Sequence, residues 1–162
     1  MKLNLKRIST GWSYPDDYFL FLYNFIIEND VTNIIELGTR YGDTSMVLAT
    51  ALKQKNGKIT TYDITKYPYI EPNFKVNNLQ DIITFKQLDF KEWLKSPETF
   101  DVLYIDIDNN DKKIELFSQN EFIQKQIKSG CSVIFEAARF NHSTAEIIFK
   151  SKISPYKIGK LK

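Results

Sequence analysis

The sequence predicts an α/β fold: a doubly wound, mostly parallel sheet of six or seven strands with helices on both faces and an abbreviated C-terminal end. Three observations predict it. Strand-like and helix-like stretches alternate from residue 31 to residue 136, and strands that alternate with helices imply right-handed crossovers between parallel neighbours. Residues 31–37 lack regular polar alternation, the pattern of a strand buried on both faces. Directly after them, Gly38-Thr39-Arg40-Tyr41-Gly42-Asp43-Thr44-Ser45 reads as a glycine-punctuated turn that opens a helix.

Each element has its own signal. Pro15-Asp16-Asp17 starts a helix that runs to about Asn29 and covers the sheet. The strand at 31–37 follows, then a helix from Thr44 to about Lys55 that Asn56-Gly57 ends. Residues 58–64 are β-branched and aromatic, which suits a second strand. Two prolines between Thr65 and Asn73 argue for loop, with a helix from about Phe74 to Gln80. A third strand at 82–88, a short helix at 90–95, a fourth strand at 100–107, one helix at 112–128 stopped by Gly130, and a fifth strand at 132–136 complete the alternation. The tail offers a helix over 141–151 and one more strand over 153–161, so a sixth strand is expected at the edge and a seventh only in part.

With 162 residues the chain suits one domain, 1–162, whose first 30 residues serve as a cover or lid segment. A net charge of +2, with arginine only at 7, 40 and 139, gives no strong field and few bidentate groups for nucleic acid. The single Cys131 excludes an internal disulfide and reads as a small core residue in a reducing compartment. The longest apolar run, residues 18–27, is about half of what a bilayer crossing needs, and Lys2, Lys6 and Arg7 precede no apolar signal region. The cytoplasm is the expected location. A sheet edge left uncovered by a missing hairpin would be a natural seam for a homodimer.

The turn at 38–45 is built for a ligand. Glycines at 38 and 42 permit positive φ and close backbone approach, and the free N–H groups of the helix start favour a carboxylate or phosphate. Neither G-x-G-x-x-G nor G-x-x-x-x-G-K-[ST] occurs, and Asp43 would repel a pyrophosphate. The pattern is E-x-G-x-x-x-G, beginning with Glu36, and it suits a zwitterion better than a nucleotide phosphate. Four expected strand ends carry acids, Glu36, Asp63, Asp89 and Asp106, and an open parallel sheet binds ligands at those ends. Asp63, 25 residues after Gly38, is placed to hold a ribose diol by charge-assisted hydrogen bonds.

These motifs, Ile35-Glu36-Leu37-Gly38-Thr39-Arg40-Tyr41-Gly42, Tyr62-Asp63, Leu88-Asp89-Phe90 and residues 101–108, stand in the order found in class I S-adenosylmethionine-dependent methyltransferases. The chain resembles the small-molecule O-methyltransferase branch, including the cephalosporin-hydroxylase-like group, over roughly residues 30 to 138. The resemblance implies a Rossmann-like fold, S-adenosylmethionine as cofactor and a small hydroxylated acceptor. It implies cofactor contacts from Glu36, Gly38, Thr39, Arg40, Gly42, Thr44, Asp63, Asp89, Phe90 and Asp106. Thr44 would meet the amino-acid carboxylate, and Gly38, Thr39 and Arg40 would line the methionine end.

Methyl transfer needs an in-line approach, and a base or metal when the nucleophile is a hydroxyl. Asp106 is the candidate for positioning substrate or sulfonium, and His142, the sole histidine, is the candidate that could overhang the site. The resemblance gives the metal-dependent relatives a divalent cation at the positions of Asp106 and Glu136. Ala137 stands where those relatives carry Asp or Asn, so a metal is not favoured here. Asp108-Asn109-Asn110 replaces the Asp-His pair of many relatives. Trp12 and Tyr14 are aromatic candidates for ligand contact from the lid, whereas Tyr62, Trp93 and Tyr104 read as core or helix-face aromatics. The departures from the family pattern keep three rivals in view: a binding subunit without turnover, an enzyme consuming S-adenosylmethionine by lyase or hydrolase chemistry, and, more remotely, a nicotinamide dehydrogenase.

Overall fold

The computed structural model describes residues 5–6, 16–107 and 111–136. Helix α1 (Asp16–Glu28) is followed by β1 (Asn33–Leu37), α2 (Asp43–Leu52), β2 (Lys58–Asp63), α3 (Ile70–Val76), β3 (Ile83–Gln87), α4 (Phe90–Trp93), β4 (Val102–Ile105), α5 (Asp111–Gln119), α6 (Glu121–Lys128) and β5 (Ser132–Phe135). The five strands are parallel throughout, in the order β3-β2-β1-β4-β5. The chain therefore winds outward from β1 to β3 and then crosses to the other side of β1, the expected doubly wound α/β arrangement.

Two apolar layers sandwich the sheet. On one face Tyr18, Leu22 and Ile26 of α1, with Met46, Val47 and Leu48 of α2 and Phe74 of α3, close over Ile34, Ile59 and Val102. On the other, Trp93, Phe117, Ile123 and Ile127 cover Ile35, Leu37, Leu103, Ile105 and Val133. Strand alternation explains the division, since successive residues of β1 point to opposite faces. None of the described helices is long and apolar enough to cross a membrane.

Several boundaries differ from the sequence reading. The helix expected from Phe74 starts at Ile70, because Pro72 falls in its first turn, where a missing N–H costs no helical hydrogen bond. The single helix expected over 112–128 is two. Asn120 leaves the helical conformation at φ −73°, ψ 113° and caps α6, accepting from the Ile123 N–H at 3.1 Å. Helix α2 ends at Leu52 and tightens into a 3-10 turn, Lys53–Lys55, which Asn56 closes in the left-handed region (φ 53°). Gly57, expected to share that role, is needed instead for space: a Cβ there would lie 2.6 Å from the Thr32 carbonyl oxygen. The expected tail helix over 141–151 and the strand over 153–161 lie outside the described residues.

Candidate functional site

The order reversal puts the tips of β1, β2 and β4 side by side, and the β1–α2 turn crosses above them. The turn is fixed at every step. The Gly38 N–H donates to the Tyr62 carbonyl (2.8 Å), the Gly42 N–H to the Thr39 carbonyl (2.8 Å), and the Asp106 N–H to the Leu37 carbonyl (2.8 Å). From α3, the buried Asn73 amide donates to the Tyr41 carbonyl at 3.0 Å. Three residues take positive φ: Gly38 (100°), Arg40 (50°) and Gly42 (84°). Only glycine fits at 38, where a Cβ would sit 2.0 Å from the Asp106 carbonyl oxygen, and at 42, where it would sit 2.5 Å from the Phe74 ring.

Asp63 ties this turn to the end of β2. Its Oδ2 accepts from the Arg40 N–H (2.8 Å) and its Oδ1 from the Thr65 N–H (2.9 Å). A carboxylate offers about four lone-pair positions, so two of Asp63's acceptor positions remain beyond these backbone bonds. Asp89 closes the end of β3 by capping α4, accepting from the Lys91 N–H at 2.7 Å. Phe90 follows and packs its ring on Phe117, centroids 5.9 Å apart.

Between these tips lies a cleft of about 420 Å³, walled by Gly38, Arg40, Asp63, Asp89, Phe90 and Asp106 together with Leu37, Tyr62, Ile64, Thr65, Tyr67, Leu88 and Ile107. Small-molecule sites have this size and this mixture of apolar walls with a few polar groups. A recess of about 30 Å³ shares Gly38, Arg40 and Asp106 with it and adds Thr39, Tyr41, Asp43 and Thr44. The N-cap of α2 is Gly42, with no side-chain capping bond, so no capping side chain competes for the N–H groups of the first turn.

Of the cofactor contacts expected from the sequence, Glu36 and Gly42 line neither the cleft nor the recess, and Thr39 and Thr44 line only the recess. Glu36 is fully buried beneath the turn and is not a cleft wall. The Ser45 hydroxyl donates to its Oε2, and its Oε1 has no hydrogen-bond partner. Burial pushes its carboxyl up to about 8; the Ser45 and Thr61 hydroxyls oppose the shift, and the charges of Asp106 and Asp63 add to it. Thr39 turns its hydroxyl to that of Thr61, 2.6 Å away and buried.

Ile64 and Tyr67 line the cleft but were not singled out from the sequence, and Leu88, quoted only as part of a motif, lines it too. Ile64 carried a usable signal, being apolar immediately after a strand-ending acid, and it is 64 % exposed. Tyr67 carried none; its ring lies 5.2 Å from that of Tyr41, over which the Arg40 guanidinium is poised at 5.5 Å. Tyr62, expected in the core, is buried and also walls the cleft. Its hydroxyl donates to Glu98 (2.7 Å), and burial together with that carboxylate pushes the phenol up to about 12, so it is neutral near pH 7. Tyr104 is buried as expected, its hydroxyl 2.6 Å from that of Tyr18. Trp93 is likewise core.

Asp106 and Glu136 end neighbouring strands, and among the described residues no group of three or more His, Cys, Asp or Glu side chains gathers as a metal site. His142, Ala137, Trp12, Tyr14 and Asp108-Asn109-Asn110 lie outside the described residues.

The sequence from residue 35 to residue 136, β1 through the end of β5, matches the family model described as a methyltransferase domain. The chain belongs to the methyltransferase domain family. No curated protein matches its sequence. Solved structures do match in fold. An O-methyltransferase from Bacillus cereus in complex with S-adenosylhomocysteine aligns at TM-score 0.61 and 17 % identity, over 96 % of this chain and 73 % of that one. A Podospora anserina methyltransferase bound to S-adenosylhomocysteine aligns at 0.64 and 12 %, over 92 % and 70 %. An O-methyltransferase of Streptomyces achromogenes involved in tomaymycin synthesis, in complex with S-adenosylmethionine, aligns at 0.59 and 13 %, over 85 % and 66 %. At such identities the likeness is one of fold. The cleft of this methyltransferase domain is nevertheless where a doubly wound sheet holds its ligand, beyond the strand ends at the point of order reversal.

Proposed function

We propose that the cleft binds S-adenosylmethionine and that the chain transfers its methyl group to a small hydroxylated acceptor. The observation that carries this reading is the ordered wall itself: Gly38 against Asp106 at the switch point, Asp63 at the end of β2, and Asp89 with Phe90 at the end of β3. The order of these groups supports an adenosyl amino acid laid along the wall. The lone-pair positions of Asp63 that remain beyond Arg40 and Thr65 accept the two ribose hydroxyls. Phe90 and the exposed Ile64 offer apolar faces to a base, and the unengaged side of Asp89 accepts from its amine. The first-turn N–H groups of α2, with Thr44, receive the carboxylate.

When bound, the cofactor supplies a methyl group on a positively charged sulfur. The chain's part is then to bind, to orient and to take up a proton. Asp106, on the β4 tip beside Gly38, is the group proposed to position the acceptor or the sulfonium, and His142 is the other side chain proposed to take part in the transfer. Tyr62, held neutral, serves as wall.

Calorimetric titration with S-adenosylmethionine and S-adenosylhomocysteine tests the site. Binding of both is expected, weakened at least tenfold in Asp63→Ala. Mass spectrometry of catechols, phenols and hydroxy acids incubated with the loaded protein tests the reaction. Binding without transfer to any acceptor would assign a binding subunit; loss of the cofactor's side chain without a methylated product would assign lyase or hydrolase chemistry. An absence of heat with either ligand would overturn the assignment of the cleft.

A further inference from the structure

Glu36 has no evident structural reason to be an acid. It occupies a fully buried place in the middle strand, opposite Thr61 of β2 and Tyr104 of β4 in the sheet register. The faces packed around it offer hydroxyls and further acids. From α2 comes Ser45, which donates to Oε2. From β4 comes Tyr104, whose hydroxyl meets that of Tyr18 from α1, and from β2 comes Thr61, paired with Thr39. The charged groups that act on it are Asp106 at the end of β4 and Asp63 at the end of β2, both acids. Among the described residues Oε1 has no partner within hydrogen-bond distance, and the Ser45 and Thr61 hydroxyls that favour the carboxylate do not offset its burial. An ionised carboxylate in that place is desolvated and repelled by two acids, so the neutral acid is the stable form until a cation arrives.

On the reading of the cleft given above, a cation does arrive. S-Adenosylmethionine carries an ammonium and a sulfonium against one carboxylate, whereas S-adenosylhomocysteine lacks the sulfonium charge. Gly38, two residues beyond Glu36, walls both the cleft and its recess. We propose that Glu36 is protonated in the cofactor-free protein and releases that proton to solvent when S-adenosylmethionine enters, so that cofactor capture and proton release form one linked equilibrium. The carboxylate so formed lies beneath the turn, two residues before the cleft wall at Gly38, and its charge favours the cationic cofactor over its uncharged-sulfur product. When methyl transfer removes the sulfonium charge, the attraction that favoured the carboxylate is lost and Glu36 takes a proton back from solvent, so the product is held less tightly than the cofactor. Glu36 acts through field and proton, as a positioning residue behind the turn.

Titration of the full chain at pH 7, in two buffers of different ionisation enthalpy, reads the protons directly. Once each ligand's own amino group has been titrated separately and its contribution subtracted, close to one proton released per S-adenosylmethionine is expected and distinctly fewer per S-adenosylhomocysteine. The affinity for S-adenosylmethionine should improve about tenfold per pH unit between roughly pH 6 and 8 and level off above. In Glu36→Gln the difference between the two ligands and this slope should both vanish. If that variant fails to fold, infrared difference spectra of the unaltered protein should show a protonated-carboxyl stretch that disappears on adding S-adenosylmethionine. Binding without excess proton release, or with no loss of that band, overturns the proposal and leaves the cofactor assignment intact. Absence of binding by either ligand overturns both.

Discussion

Gly38→Ala tests the central geometric claim, that the tip of β1 and the tip of β4 meet without room for a side chain. The added Cβ would lie 2.0 Å from the Asp106 carbonyl oxygen and 2.7 Å from its carbonyl carbon. Both are backbone atoms, so no side chain can swing aside; the β4 tip must retreat by more than an ångström before ordinary contact is restored. The backbone adds its own penalty, because φ is 100° there and an L-residue with positive φ costs about 1–2 kcal/mol. Overpacking of a rigid contact costs about 1–3 kcal/mol more, so the expected loss is roughly 2–5 kcal/mol. That is a large part of the about 5–15 kcal/mol available to a typical domain. Urea unfolding followed by circular dichroism should therefore show a clearly lowered midpoint. Displacing the carbonyl also moves Asp106 and the turn against each other, and a misplacement on the order of 1 Å costs about a hundredfold in rate at a built site; calorimetry with S-adenosylhomocysteine should show weakened binding in the folded fraction. A variant with the parent's unfolding midpoint and affinity would refute the close approach and the placing of the cleft at this junction.

The remaining expectations are narrower. Asp63→Asn keeps the shape but gives up charge-assisted acceptance from Arg40 and Thr65, so stability should fall by about 1–3 kcal/mol and cofactor affinity by at least tenfold, read by denaturation and calorimetry on the same samples. Burial raises the Glu36 carboxyl from its ordinary 4.5 to about 8, so the native state binds the extra proton; its contribution is complete below about pH 4.5 and fades as pH rises through 8. Urea midpoints should accordingly decline over that window in the unaltered protein, and the decline should be shallower in Glu36→Gln. Asn120→Ala removes the α6 cap and the bond to the Leu94 carbonyl (3.1 Å); a loss of about 1 kcal/mol with unaltered cofactor affinity is expected from thermal unfolding and titration. Lys86→Ala breaks the half-exposed pair with Glu98 (2.8 Å) and should change stability by less than about 1 kcal/mol.

What could be read from the sequence was whatever depends on near neighbours along the chain. The alternation of strands and helices, the glycines at 38 and 42 and the acids at 63, 89 and 106 each follow from residues within a turn or two, and the strand ends they mark do converge on one cleft. The same local evidence ran two helices into one across Asn120, because apolar spacing continues through a residue whose side chain had an alternative use as a cap. It also delayed α3 to Phe74, by weighing Pro72 as a breaker when its place in the first turn makes it harmless.

What tertiary structure alone decided is who faces whom. Glu36 and Asp63 look alike in the sequence, two acids at or near the end of apolar strands. The register sets the first, fully buried, among Thr61, Tyr104 and Ser45, and turns the second outward to carry the Arg40 and Thr65 N–H groups at the cleft wall. Tyr67 enters the wall by the fold of a proline-containing loop that has no periodicity to read. The physical reason is that burial and pairing are sums over partners far apart in the chain. Local conformational preference fixes the elements, and only their packing fixes the dielectric surroundings and the neighbours that give an acid its chemistry.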